Sequence, residues 1–202
     1  MAWKIERWLS DVFPGEDRIY SEYRELSRRE LAIVAAAVLD VALAELLSKR
    51  LLDIPKEYED FLGLDADGRA PAGTFGARIQ LAMLLGVITE QDTAILREVK
   101  HIRNGFSHRA KVDFTSATVK PHVLRLHQLF GSRLSGLLLP VVGDSNKADE
   151  LGASFGISPE AGAGLLLAVL SVYQAYFHRL SSHITRVPNI QIPKPIRHKR
   201  RA

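Results

Sequence analysis

Leu31-Ala-Ile-Val-Ala-Ala-Ala-Val-Leu-Asp40-Val-Ala-Leu-Ala-Glu45-Leu-Leu-Ser-Lys-Arg-Leu-Leu52 is the stretch that decides the fold class. Its apolar residues run almost all round a helical wheel, so it reads as a central buried helix rather than a surface one. Just before it, Ser27 followed three residues later by Glu30 has the form of a capping box. Asp40 and Glu45 interrupt the run, which argues against a membrane span, as does the short length of the other apolar stretch, residues 165–177. A lone carboxylate inside such a helix is costly without a partner. The natural partner for Asp40 is Arg78, which lies in a second apolar helix, and the expectation is a structural ion pair.

Outward from this segment the pattern stays helical. Pro55 disfavours continuation, so residues 53–58 read as a break. Residues 63–73 are loop by composition. Thr74 caps a helix to about Leu85, closed by Gly86. Thr89, with Asp92 three residues on, opens the next, whose Ile95, Val99, Ile102 and Phe106 form a core-facing stripe. Gly105 is expected to end or loosen that helix. Thr115 or Ser116 starts another, reaching about Leu139, and residues 140–156 are a loop or hold a short helix. Ser158-Pro159-Glu160 is a strong helix start, for a helix ending near Ile184. No alternating strand pattern and no internal repeat occurs. The expected class is an all-α helical bundle: a helical extension over residues 1–26, one all-helical domain over 27–187 with the buried helix at 27–52, and a basic, disordered tail over 188–202.

Composition limits the chemistry. The 202 residues contain no cysteine, so disulfides, thiolate metal sites and cysteine catalysis are excluded, which suits a reducing cytosol. The N-terminus, Met1-Ala-Trp-Lys-Ile-Glu-Arg, carries charges where a signal peptide needs an apolar core, so secretion is not expected. The formal charge of +4 belongs to the tail: Lys194, Arg197, Lys199, Arg200 and Arg201 leave 22 basic and 23 acidic residues elsewhere, a net of −1. The tail could bind nucleic acid or an acidic partner, but the near-neutral remainder does not advertise a basic DNA-reading face.

Several patterns mimic sites. Gly152-Ala-Ser-Phe-Gly156 has no strand before it and so no nucleophile elbow. Asp65-Ala-Asp-Gly68 lacks the rest of a calcium loop. His122 with His127, and His178 with His183, are five apart, the wrong step for shared metal ligands, and read as surface or core histidines. Tyr173, Tyr176 and Phe177 read as core or dimer packing. No nucleotide-binding loop, cofactor site or metal site is expected.

The window 73–108 carries the most information. It runs Gly-Thr-Phe-Gly-Ala-Arg-Ile-Gln-Leu-Ala-Met-Leu-Leu-Gly-Val-Ile-Thr and ends His101-Ile-Arg-Asn-Gly-Phe-Ser-His108. With residues 31–52 before it, this order of blocks resembles the mannitol operon repressor (MltR) family over about residues 29–127. Arg103-Asn104-Gly-Phe-Ser-His108 also resembles the R-N-x-x-x-H motif of HEPN-type ribonucleases. The first resemblance implies a cytoplasmic, homodimeric regulatory protein acting through a protein partner or weak RNA or DNA contact. The second implies a metal-independent endoribonuclease in which Arg103 holds the scissile phosphate, His108 serves as acid or base and Asn104 orients either. A purely structural helical dimer, with these three residues capping a helix end, is the third possibility. Five positions on a regular helix turn a side chain by about 140°. Arg103 and His108 therefore converge only if the helix ends at Gly105 or a partner chain completes the site.

Overall fold

The computed structural model describes residues 23, 25–64, 69–108, 111–154 and 162–188. Within them the chain is all-helical, and no strand occurs among the described residues. Seven helices follow in order: α1 (Arg28–Arg50), α2 (Pro55–Leu62), α3 (Phe75–Leu84), α4 (Glu90–Ser107), α5 (Lys120–Val142), α6 (Ser145–Ser154) and α7 (Gly162–Ser181).

α1 forms because its start is capped and its body is apolar on every side. Ser27 Oγ accepts from the Glu30 N–H at 3.3 Å, and the Glu30 carboxylate accepts from the Ser27 N–H at 2.8 Å. Lys49 and Arg50 lie in the last turn, where cations suit the helix dipole. Leu39, Leu43, Leu46 and Leu47 are wholly buried. α1 meets α2, α3, α4 and α7, so four helices cover it. Its length and hydropathy would also suffice to cross a membrane, but two thirds of its apolar window, 67%, is buried inside the bundle, as a core helix requires.

α4 lays Ile95, Val99, Ile102 and Phe106 into the core, each at most 1% exposed. Its outer neighbour is α5, which also packs against α6 and α7. On α7 the rings of Tyr173 and Phe177 meet edge to face at 5.3 Å, inside this core.

Four boundaries differ from the sequence expectation, each for a local reason. Pro55 does not merely stop α1: it occupies the first turn of a new short helix, where its missing N–H costs nothing. α5 begins at Lys120 rather than at Thr115 or Ser116, because Ser116 is spent in a turn, its Oγ accepting from the Asp113 N–H at 2.8 Å. α5 also runs through Pro140 to Val142 before the left-handed Gly143 ends it, and α6 is the short helix that residues 140–156 were expected to hold if they were not a loop. Gly105 does not end α4, which continues to Ser107. A Cβ on Gly105 would sit 2.6 Å from Val119 Cγ2, so the glycine is there for close approach of the α5 entry. The helix start at Ser158-Pro159-Glu160, the Asp65–Gly68 loop and the tail cations Lys194 to Arg201 lie outside the described residues, as does most of the N-terminal extension.

Candidate functional site

Two carboxylate clusters tie the helices of the bundle together, the first of them through α4. At its start, Asp92 is fully buried. It closes a capping box with Thr89, whose N–H and hydroxyl donate to Asp92 Oδ2 at 3.0 and 2.7 Å. Oδ1 receives the Tyr173 hydroxyl at 2.9 Å from α7 and Arg133 Nε at 3.1 Å from α5. Burial and the Asp92 charge push the Tyr173 phenol well above its ordinary range. One side chain thus caps α4 and ties it to two other helices.

The second cluster joins Asp40 of α1 to Arg78 of α3. Arg78 Nη1 donates to Asp40 Oδ1 at 2.7 Å. The same guanidinium donates to the carbonyls of Leu62, at 2.6 Å, and Ala72, at 3.0 Å, at the two ends of the loop after α2. Burial raises the Asp40 carboxyl above its ordinary value, against the pull of Arg78 and of Arg103 on α4. Arg103 therefore lies in the field of Asp40, facing the bundle side of α4.

Asn104 and His108 lie elsewhere on the same helix. Four residues apart, they share a face with Arg97 and His101, all within about 60° of one another, while Arg103 is turned about 140° from His108. Because α4 passes unbroken through Gly105, one chain does not bring Arg103 and His108 together. Nor do the three side chains cap the helix: its terminal bond is backbone only, the His108 N–H to the Asn104 carbonyl at 3.4 Å. Among the described residues the Arg103 guanidinium, the Asn104 amide and the His108 imidazole make no hydrogen bond. Asn104 and His108 are polar groups left available, whereas Arg103 also feels the Asp40 carboxylate.

Beside this stripe is a cluster the sequence reading passed over. His122 of α5 bonds through Nδ1 to Glu98 Oε2 at 2.7 Å, and Arg125 Nε meets Glu98 Oε1 at 3.2 Å. The His101 and His122 rings stack at 4.9 Å, 14° from parallel. Burial and the adjacent His122 and Lys100 lower the His101 pKa below its ordinary value. The signal was the matched i, i+3 spacing of Glu98 with His101 and of His122 with Arg125, but reading it requires knowing that α4 and α5 are neighbours. Among the described residues no group of three His, Asp or Glu side chains forms a metal-binding set.

Charge is segregated along this seam. Residues 97–133 contain eight Lys and Arg against Glu98 and Asp113, a net of +6, within a body whose total is near zero, although one of the eight, Arg133, is already paired with Asp92. Asp113 is itself paired with Arg28. The near-neutral average concealed a basic region offset by acids elsewhere.

Compared with protein-family models, with curated proteins and with solved structures, the chain matches none.

Proposed function

We propose that this chain is a cytoplasmic regulatory protein of the mannitol operon repressor kind, working through weak contact with nucleic-acid phosphates along the α4–α5 seam. The observation that carries the reading is the stripe Arg97, His101, Asn104 and His108, set in a stretch of net charge +6, whose Asn104 and His108 side chains have no partner among the described residues. Arginine and protonated histidine neutralise phosphates and release counterions, so affinity from such a seam depends steeply on salt and little on sequence. α4 and α5 lie alongside one another, with the His101 and His122 rings stacked between them, so both contribute to one surface.

The test is fluorescence anisotropy of a labelled single-stranded RNA and a labelled DNA duplex, at about 50 and 200 mM salt. Arg97→Ala with His108→Ala is expected to weaken binding about tenfold at the lower salt, with the helical circular dichroism signal intact. Loss of binding only when the five tail cations are replaced by glutamine would assign the contact to the tail instead.

The metal-independent ribonuclease is the second reading. It is favoured by the absence of side-chain hydrogen bonds to Arg103, Asn104 and His108 among the described residues, and it demands that Arg103 of one copy meet His108 of another, since α4 separates them within a chain. RNA incubated with the protein in EDTA would then yield cyclic-phosphate ends, lost on His108→Ala. Mixing Arg103→Ala and His108→Ala chains would restore part of that activity only if the site is shared between copies.

A further inference from the structure

The end of α1, α2 and the loop beyond form an apolar groove of about 550 Å³. Leu51, Leu52, Ile54, Tyr58, Phe61 and Pro71 line it, with Glu57 and Asp60 at its rim. Leu52, Ile54 and Phe61 remain 38%, 47% and 39% exposed. Three large apolar side chains clustered around one concavity are what a docking site presents.

The described chain runs to the edge of this groove. Arg50 Nη1 donates to the Thr185 carbonyl at 2.8 Å, the Val187 N–H donates to the Arg50 carbonyl at 3.0 Å, and Arg186 Nη1 meets Asp53 Oδ1 at 2.9 Å. Residues 185–187 are thus laid along residues 50–53, and the groove begins at Leu51. Fourteen residues follow Pro188. Extended, they would reach about 46 Å, several times the width of such a groove.

We propose that this same chain's tail, residues 189–202, folds back into the groove. Ile190, Ile192 and Ile196 supply branched apolar side chains, and the sequence Pro193-Lys-Pro195 favours the extended backbone that aromatic-lined grooves such as one bearing Tyr58 and Phe61 accept. Charge agrees. Residues 53–60 contain Asp53, Glu57, Glu59 and Asp60 against Lys56, a net of −3, while the tail contributes five cations and no acid. The other end of the chain fits less well: residues 1–22 contain five acids and three bases, and they join α1 at its far end, about 34 Å away.

Since the chain has no cysteine, a nitroxide on a single His198→Cys substitution reports where the tail goes. In the full-length labelled protein, amide signals of residues 52–61 are expected to fall below about half their intensity in the reduced sample, while Gln128 on α5 keeps its own. Ile190→Ser, Ile192→Ser and Ile196→Ser together, or Phe61→Ser in the groove, should restore those signals without altering the rest of the spectrum. Attenuation spread evenly over the bundle, attenuation centred on the α4–α5 seam, or groove attenuation that survives the triple serine variant would each overturn the proposal. So would groove attenuation in a mixture of labelled and isotope-enriched unlabelled chains, because the occupant would then be a second copy.

Discussion

The two ends of α4 put polar residues to opposite uses. At the start, Asp92 is buried and each oxygen is taken: by Thr89, by Arg133 and by the hydroxyl of Tyr173. At the finish, Arg103, Asn104 and His108 are half-buried or exposed and make no side-chain hydrogen bond among the described residues. A buried carboxylate is tolerated only when its partners replace water, so the first end is committed to architecture. The second end gives up nothing in stability by leaving its groups to solvent, and such groups remain free to meet a ligand. Substitutions should therefore separate the two ends by several kcal/mol.

The largest expected effect is at the closed end. Asp92→Asn leaves the half-buried Arg133 without a counter-charge and a donor where Oδ1 or Oδ2 accepted, which should cost about 4 kcal/mol, as breaking a buried pair does. Urea unfolding followed by circular dichroism measures it. A loss no larger than that of His108→Ala, expected within about 0.5 kcal/mol of wild type for a surface change, would erase the contrast between the ends.

Arg78→Met comes next. The methionine fills similar volume but leaves Asp40 and the Leu62 and Ala72 carbonyls without their donor, so about 2 to 3 kcal/mol should be lost. Because Asp40 is only half-buried, solvent makes up part of the deficit. Asp40→Asn combined with Arg78→Met should then cost less than the two single changes added together, since the groups share one network. Strict additivity would mean that Arg78 acts mainly through the loop carbonyls.

Gly105→Ala is smaller again and its sign is informative. In an exposed helix interior this change would stabilise by about 1 kcal/mol. Here the added methyl meets Val119 Cγ2 at 2.6 Å, and a β-branched side chain buried at the start of α5 yields little. A net loss of about 1 to 2 kcal/mol is expected, as for overpacking. Combining it with Val119→Ala should recover most of that loss.

What could be read in the sequence follows the same division. The all-α class, the capping boxes at Ser27 and Thr89 and the core stripe from Ile95 to Phe106 depend on neighbours within four residues, and local spacing displays them. Asp40 and Arg78 stand out as lone charges in apolar runs. Asp92 was hidden because its cap with Thr89 already explained it, while Arg133 and Tyr173 lie 41 and 81 residues away. The pairing of Glu98 with His122 was hidden because it depends on how two helices lie against each other. Gly105 was read by its low helix propensity, and what decides its role is a contact with a residue in the next helix.

The smallest effect concerns the open face, and it is a matter of pH. His101 sits against the His122 ring, with Lys100 and Arg97 on its own helix, and Glu98 alone pulls the other way. Its folded pKa lies below the ordinary value, so as pH falls past that value the unfolded chain takes up a proton that the folded chain resists. Stability is complete above the ordinary histidine pKa and declines as the pH drops from there toward the folded one. The ring is exposed, so the change is modest: between pH 7.5 and 5.5 the melting temperature of the wild type should fall by about 1 °C more than that of His101→Gln. Parallel curves for the two proteins would show that His101 takes up its proton as readily in the fold as in the unfolded chain, and that its crowded setting costs nothing. A steeper wild-type curve ties the charge of the seam to pH, and phosphate binding by it should strengthen on acidification while the fold weakens slightly, an opposition that the Asp92 end, with no histidine beside it, does not share.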